Sequence, residues 1–355
     1  MSTLPAAPDL SVSLPGREWL TPFVPLSLMA GSHAQTLLGN YWRRVPFQLI
    51  AEAEAVEVDP ADRSRVLCHV HWQPVEVRTQ RLTVLLVHGL EGSSDSRYIQ
   101  GITARAWAAG CNVVRMNMRN CGGTETWTPT LYHSGFSADV LAVLRHFAGV
   151  HGLERMAMVG YSMGGNLVLK LAGDLGVNAP RWLAAAVAVS PAADLAASAD
   201  ALHESANRIY EWHFLRNLMS RFRRKASLFP EVYSVDGVGP IRSIREFDDR
   251  ITARYSGFAD ADDYYFRAAA ARVVSRIAIP TLAIHALDDP FIRVTDATRE
   301  TLRQNPVIEL VETQHGGHCA FLAARTGPGV DVDRHWAEAT LMRYLFTVTG
   351  HVHGS

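Results

Sequence analysis

The residues best suited to chemistry are Gly160-Tyr161-Ser162-Met163-Gly164, a serine with a glycine two positions away on each side. An apolar strand-like stretch runs into this pentapeptide and a helical pattern runs out of it. A serine at such a turn sits in strained backbone with its hydroxyl exposed, and the turn is too tight for side chains at the flanking positions. The helix start behind it favours negative charge developing nearby. The chemistry this would serve is nucleophilic attack on a carbonyl carbon. Serine alone is a weak nucleophile; it needs a base, and the base needs an acid to orient it.

Chain order around such a turn runs serine, acid, histidine. Ala283-Ile284-His285-Ala286-Leu287-Asp288-Asp289-Pro290 offers two acids after a late apolar stretch. Asp289, directly before Pro290-Phe291, is the preferred acid; Asp288 would cap the loop and remains the alternative. Gln314-His315-Gly316-Gly317-His318 supplies the base. His318 is preferred because the glycines let its imidazole swing over the serine, and His315 is given a supporting role. Acyl transfer also needs N–H donors for the oxyanion. Met163 should provide one and Leu90, in His88-Gly89-Leu90-Glu91-Gly92, the other, with His88 bracing that loop. This chemistry calls for no cofactor. His69 and His71 share one face of a strand without an evident third ligand, so no metal site is expected.

The elements that must position these residues follow from hydropathy. The continuous apolar run Leu82–Val87 suits a strand covered on both faces, and further strands are expected at Asn112–Met118, Arg155–Val159, Leu183–Val189, Thr281–His285 and Val307–Val311. Helical patterns fall between them at about Arg97–Ala109, Phe136–Phe147, Met163–Ala172 and Thr295–Arg303, with a closing helix at about Val332–Val348. Such alternation implies right-handed crossovers and a parallel sheet. Leu49–Val58 and Val66–Trp72 should form an antiparallel leading pair. From about Pro191 to Ile277 the pattern turns helical, without a clear strand. The expected organisation is an N-terminal extension over residues 1–45 packed on the core, a core over 46–190 and 278–355, and a helical lid over 191–277. Tyr210, Trp212, Phe214, Leu215 and Leu218 in that insert either line an acyl pocket or pack on the core.

The chain has 355 residues, is 48% hydrophobic, and carries 34 Lys and Arg against 35 Asp and Glu. That near balance excludes a whole-molecule field for nucleic acid or an anionic membrane. The run Arg221-Phe222-Arg223-Arg224-Lys225 is expected to be a solvated helix face. The four cysteines form no CxxC pair, which fits a reducing, cytoplasmic setting. Met1 to Leu20 shows no signal-peptide pattern, and no apolar run is long enough to cross a bilayer.

With these residues placed, the sequence resembles the YheT-like family of alpha/beta hydrolases, from about Pro22 to Leu345. The matching strings are His33-Ala34-Gln35-Thr36-Leu37, His88-Gly89-Leu90-Glu91-Gly92-Ser93, Asn117-Met118-Arg119-Asn120-Cys121-Gly122-Gly123 and Leu131-Tyr132-His133-Ser134-Gly135. The serine turn, Asp263-Tyr264-Tyr265, Asp288-Asp289-Pro290-Phe291 and His315-Gly316-Gly317-His318 complete the set. The resemblance implies an alpha/beta-hydrolase fold, catalytic roles for Ser162, Asp289 and His318, and cleavage of small carboxylic esters with short to medium acyl chains. It implies Asn117 where many hydrolases of this fold carry Asp. The same triad would equally serve thioesters, amides, lactones, phospholipids or acyl transfer to an alcohol. A non-catalytic ligand-binding protein on this fold is the rival from another class. Haloalkane and epoxide hydrolases are disfavoured because they place Asp where Ser162 stands. The oligomeric state is not legible.

Overall fold

The computed structural model describes residues 16–44, 47–324 and 334–351. Eight strands form one sheet: β1 (Glu52–Asp59), β2 (Ser64–His71), β3 (Thr83–Val87), β4 (Asn112–Met116), β5 (Met156–Tyr161), β6 (Leu183–Val189), β7 (Thr281–Ala286) and β8 (Ile308–Thr313). Their spatial order is β1-β2-β4-β3-β5-β6-β7-β8. The leading pair is antiparallel, as is β2 against β4; every later pairing is parallel.

Five-residue β3 and β4 are buried at every position; β3 is almost wholly apolar, whereas β4 carries the buried polar residues Asn112 and Arg115 among its apolar ones. The period-two alternation of a strand still sorts the side chains. Leu85, Val87, Met156 and Met158 enter one core cluster. Val84, Leu86, Ala157 and Val159 enter the other. Helices α3 (Ser137–Val150), α4 (Met163–Leu175) and α10 (Asp296–Gln304) cover the first face. Helices α2 (Arg97–Ala108) and α11 (Trp336–Thr349) cover the second. The closing helix begins at Trp336; the first residues of its expected span, 332 and 333, lie outside the described residues, as do 1–15 and 45 of the expected extension.

Between β6 and β7 the chain is helical: α5 (Leu195–Leu202), α6 (Arg208–Leu228), α7 (Ile244–Phe247), a π-helical stretch (Asp248–Ala253), α8 (Arg254–Ser256) and α9 (Ala261–Ala268). These pieces share a third apolar cluster with Leu131, Phe291 and Ile292 of the core. The basic run on α6 is not the solvated face expected. Phe222 and Lys225 are buried, at 0% and 1% exposure. Lys225 Nζ donates to Asn120 Oδ1 at 2.5 Å, to the Glu125 carbonyl at 2.7 Å and to the Thr128 carbonyl. Arg221 pairs with Glu91 at 3.0 Å. Only Arg223 and Arg224 face water. A repeat of like charge along a sequence cannot distinguish solvent from a tertiary acceptor.

Before the sheet, α1 (Ser32–Tyr41) lies against the loop after β8. Buried Gln35 donates to the Leu322 carbonyl at 3.1 Å and accepts from Leu322 N at 2.9 Å. No helix among the described residues is long and apolar enough to cross a membrane.

Candidate active site

Ser162 stands between β5 and α4 with φ 56° and ψ −117°. That left-handed backbone is costly for a residue bearing Cβ and persists where the surroundings enforce it. The enforcement is visible. Ser162 N donates to Val189 O at 2.9 Å, and its carbonyl accepts from Asn166 N at 3.1 Å and Ala192 N at 3.2 Å. A Cβ at Gly160 would lie 2.1 Å from Gly164 O, and one at Gly164 would lie 2.3 Å from Val87 O. Both glycines are therefore required by close backbone approach.

The structure brings Asp289 and His318 together. His318 Nδ1 lies 2.8 Å from Asp289 Oδ2. Asp289 Oδ1 accepts from Phe291 N at 3.2 Å and Ile292 N at 2.9 Å. Burial opposes the charge on Asp289, but His318, His285 and the Ile292 N–H outweigh it and hold the carboxyl below its usual range. With Asp289 accepting at Nδ1, the Nε2 edge is left for proton transfer. Burial also disfavours the imidazolium of His318. The Cys319 sulfur and the Asp289 carboxylate outweigh it, so the imidazole titrates well above its ordinary value. His318 Nε2 lies 3.6 Å from Cys319 Sγ, and both residues line a cavity with Ser162. Asp288 points elsewhere: it accepts from Gly317 N at 2.9 Å and sits 3.5 Å from His315 Nδ1. The neighbouring acid thus shapes the glycine loop.

The loop after β3 lies beside the serine, since a Cβ at Gly89 would be 3.0 Å from Ser162 Cβ. Leu90 and Met163 line one cavity with Ser162. Met163 is the first residue of α4, where an N–H has no intrahelical acceptor. His88 is fully buried, and burial, reinforced by Arg221, pulls it down to about 4 against its bond to Gly89. It is therefore neutral. Nε2 accepts from Met118 N at 3.1 Å, so Nδ1 carries the proton and donates to Gly89 O at 2.8 Å.

Several supports, Asn117 apart, were not singled out from sequence. Tyr98 OH accepts from Gly89 N at 2.9 Å. Glu91 N donates to Tyr132 OH at 3.0 Å, and Tyr132 OH donates to Glu91 Oε1 at 2.5 Å. Thr36 Oγ1, on α1, accepts from His318 N at 2.9 Å. Asn117 Oδ1 accepts from Ser94 N at 2.8 Å, a bond an amide makes without adding charge. Asn166 ties Ser134 O and Ala268 O at 2.9 Å each, and accepts from Ala270 N at 2.7 Å. The strings containing Thr36, Asn117, Tyr132 and Ser134 were conspicuous, but no local spacing says what they touch.

Two cavities meet at Ser162. The inner one, about 110 Å³, is walled by Leu90, Leu195, Phe214, Leu218, Phe247 and Phe291 among others. Its polar lining includes Asp248, which accepts from Thr252 Oγ1 at 2.7 Å and Tyr265 OH at 2.8 Å. The outer one, about 430 Å³, is lined by Thr36, Tyr210, Trp212, His318 and Cys319. The α6 residues divide accordingly. Leu218 reaches the inner cavity, Phe214 both cavities, Tyr210 and Trp212 the outer one, and Leu215, with Trp212, a separate outer groove.

Comparison with known proteins agrees with this architecture. Residues 83–324 match the model of the alpha/beta hydrolase fold family. The Escherichia coli (strain K12) protein "Putative esterase YheT" is 33% identical over 92% of this chain and 93% of its own. Phospholipase ABHD3 of Mus musculus is 33% identical over 68% of this chain and 59% of its own. A solved 2,6-dihydroxy-pseudo-oxynicotine hydrolase shares the fold with a TM-score of 0.55 at 18% identity, over 86% of this chain and 70% of that one. The chain belongs to the alpha/beta hydrolase family, in its YheT-like group.

Proposed function

We propose that this hydrolase is a serine carboxylesterase acting on small esters with short to medium acyl chains. The observation that carries the reading is the 2.8 Å bond from His318 to Asp289 beside a cavity shared with a conformationally strained Ser162. Ser162 Oγ attacks the ester carbonyl while His318 Nε2 takes its proton. Asp289 keeps the proton on Nδ1 and stabilises the imidazolium. The N–H groups of Leu90 and Met163 receive the oxyanion. The proton on His318 passes to the departing alkoxide, and water resolves the acyl-enzyme with His318 again as base.

The acyl chain occupies the apolar inner cavity and the alcohol leaves through the outer one. Residues 191–277 act as a lid whose inner helices shape the acyl site, and the N-terminal extension steadies the base through Thr36. The names esterase and phospholipase carried by two relatives support ester bonds as the target class. The four cysteines are unpaired, which supports a reducing, cytoplasmic setting.

A fluorophosphonate probe tests the nucleophile. Wild-type protein should be labelled and Ser162→Ala should not; equal labelling of both would overturn the proposal. A series of p-nitrophenyl esters of graded chain length, set against amides and thioesters, tests the substrate class.

A further inference from the structure

A second group of chemically competent side chains lies on the sheet edge, among residues with no part in the site around Ser162. Glu54 belongs to edge strand β1, His146 to α3, and His151 directly follows α3. One ligand atom from each lies within 4.8 Å of the others. His146 Nε2 is 2.6 Å from Glu54 Oε1. His151 Nε2 is 3.0 Å from the same oxygen and 3.1 Å from Oε2.

The strand register explains the convergence. Glu54, Val56 and Val58 share the inward face of β1, and Val56 and Val58 enter the core against α3. Glu54 continues that row at its end, so a carboxylate is directed at α3 where a third apolar residue would otherwise sit. The two rings are held rather than free. His151 stacks on Phe147 at 5.3 Å and packs against Trp72 at 4.7 Å. His146 meets the Phe147 ring edge-on at 5.4 Å.

We propose that Glu54, His146 and His151 form a binding site for a borderline divalent transition ion such as Zn²⁺. Two imidazoles and one carboxylate are a recurrent zinc set that leaves a fourth position for water. The three side chains keep between 22% and 27% of their surface exposed, so an ion and that water can enter from solvent. Tetrahedral zinc at ordinary bond lengths separates its ligand atoms by about 3.4 Å. The two Glu54–histidine separations, 2.6 and 3.0 Å, lie within an ångström of this value. Imidazole ligands favour Zn²⁺, Co²⁺, Ni²⁺ or Cu²⁺ over Mg²⁺ and Ca²⁺. Bound metal would staple the edge strand to α3. The proposal is independent of the catalytic reading.

Titration of the whole protein with Zn²⁺, and separately with Co²⁺ followed by visible absorption, tests it. Wild-type protein should bind one equivalent more than Glu54→Gln, His146→Gln or His151→Gln, and show a tetrahedral Co²⁺ spectrum that each variant loses. Its thermal midpoint should rise with Zn²⁺ but not with Mg²⁺, and the rise should vanish in the variants. Glu54→Gln keeps an acceptor for both histidines, so a purely structural clip predicts unchanged metal binding in that variant. Ester hydrolysis without added metal should be equal in all four proteins. Equal Zn²⁺ stoichiometry in wild type and variants, or an equal rise with Mg²⁺, would overturn the proposal. The substitutions fall on two separate parts of the fold, so failure of one variant to fold leaves the others decisive.

Discussion

At the scale of the residue, two adjacent aspartates have opposite duties. Asp289 holds the imidazole, whereas Asp288 holds the backbone of the glycine loop. Asp289→Asn should lower kcat by about 10⁴, because the amide cannot enforce the required tautomer or stabilise the imidazolium. Asp288→Asn should cost about tenfold or less, since an amide oxygen can still accept from Gly317 N. Steady-state kinetics on one ester decide this, and the reverse ranking would discard the assignment. The pH profile adds a signed expectation. In the proposed mechanism His318 is the base and works only when neutral; it titrates above its ordinary value, so activity should rise with pH through that raised value. The acid limb of kcat/KM should have its midpoint above about 6.5, the unperturbed value for histidine. A midpoint below that would contradict the electrostatics described for His318.

At the scale of the element, α1 and the π-helical stretch have separable effects. Thr36→Val removes the acceptor for His318 N while nearly preserving side-chain shape. It should reduce kcat about tenfold, the worth of one hydrogen bond of roughly 1.4 kcal/mol, with little change in thermal midpoint. Unchanged kcat would remove α1 from the positioning of the base. Asp248 bears on stability. Burial pushes its carboxyl up to about 6, against the pull of Thr252, Tyr265 and Arg245. A raised carboxylate pKa means the folded state binds its proton more tightly than the unfolded chain. Stability is therefore lost as pH rises from the unfolded value through 6. Asp248→Asn should stabilise the protein relative to wild type above pH 6, with the advantage shrinking toward pH 4. Thermal melts at both ends of that range test the sign, and a growing advantage at low pH would refute it.

For the whole molecule, the proposed lid role ties substrate range to the helical segment, which lines the inner cavity beside Ser162. Leu218 of α6 reaches the inner cavity from across the core. Leu218→Trp should fill that space, sparing p-nitrophenyl acetate while lowering kcat/KM for the octanoate at least tenfold, at a stability cost of about 1–3 kcal/mol from overpacking. Equal losses on both esters would show that the acyl chain lies elsewhere. The joint between segment and core is also polar. Arg221 reaches Glu91 in the loop after β3, and Lys225 reaches the carbonyls of Glu125 and Thr128. The loop carrying Leu90 is thus held from above by α6 and from the side by Tyr132.

The sequence alone determined the parts of this protein that local physics dictates. A tight strand-to-helix turn admits only glycine at positions 160 and 164, so the Ser162 turn was readable as a string. Strands buried on both faces are mostly apolar, so the central strands and their alternation with helices were readable from hydropathy, while edge strand β8 keeps Glu309 and Glu312 partly exposed. Chain order limited the acid to two neighbouring residues. Tertiary structure alone decided which of the two faces His318, because a one-residue step along a loop reverses side-chain direction without changing composition. It also decided that Phe222 and Lys225 are buried, that Thr36 meets His318 from 282 residues away, and that Glu54, His146 and His151 converge. Each of these is a contact between segments distant in sequence. Its partners become neighbours only when burial of the two sheet faces brings the elements together, and no pattern within one segment records the other.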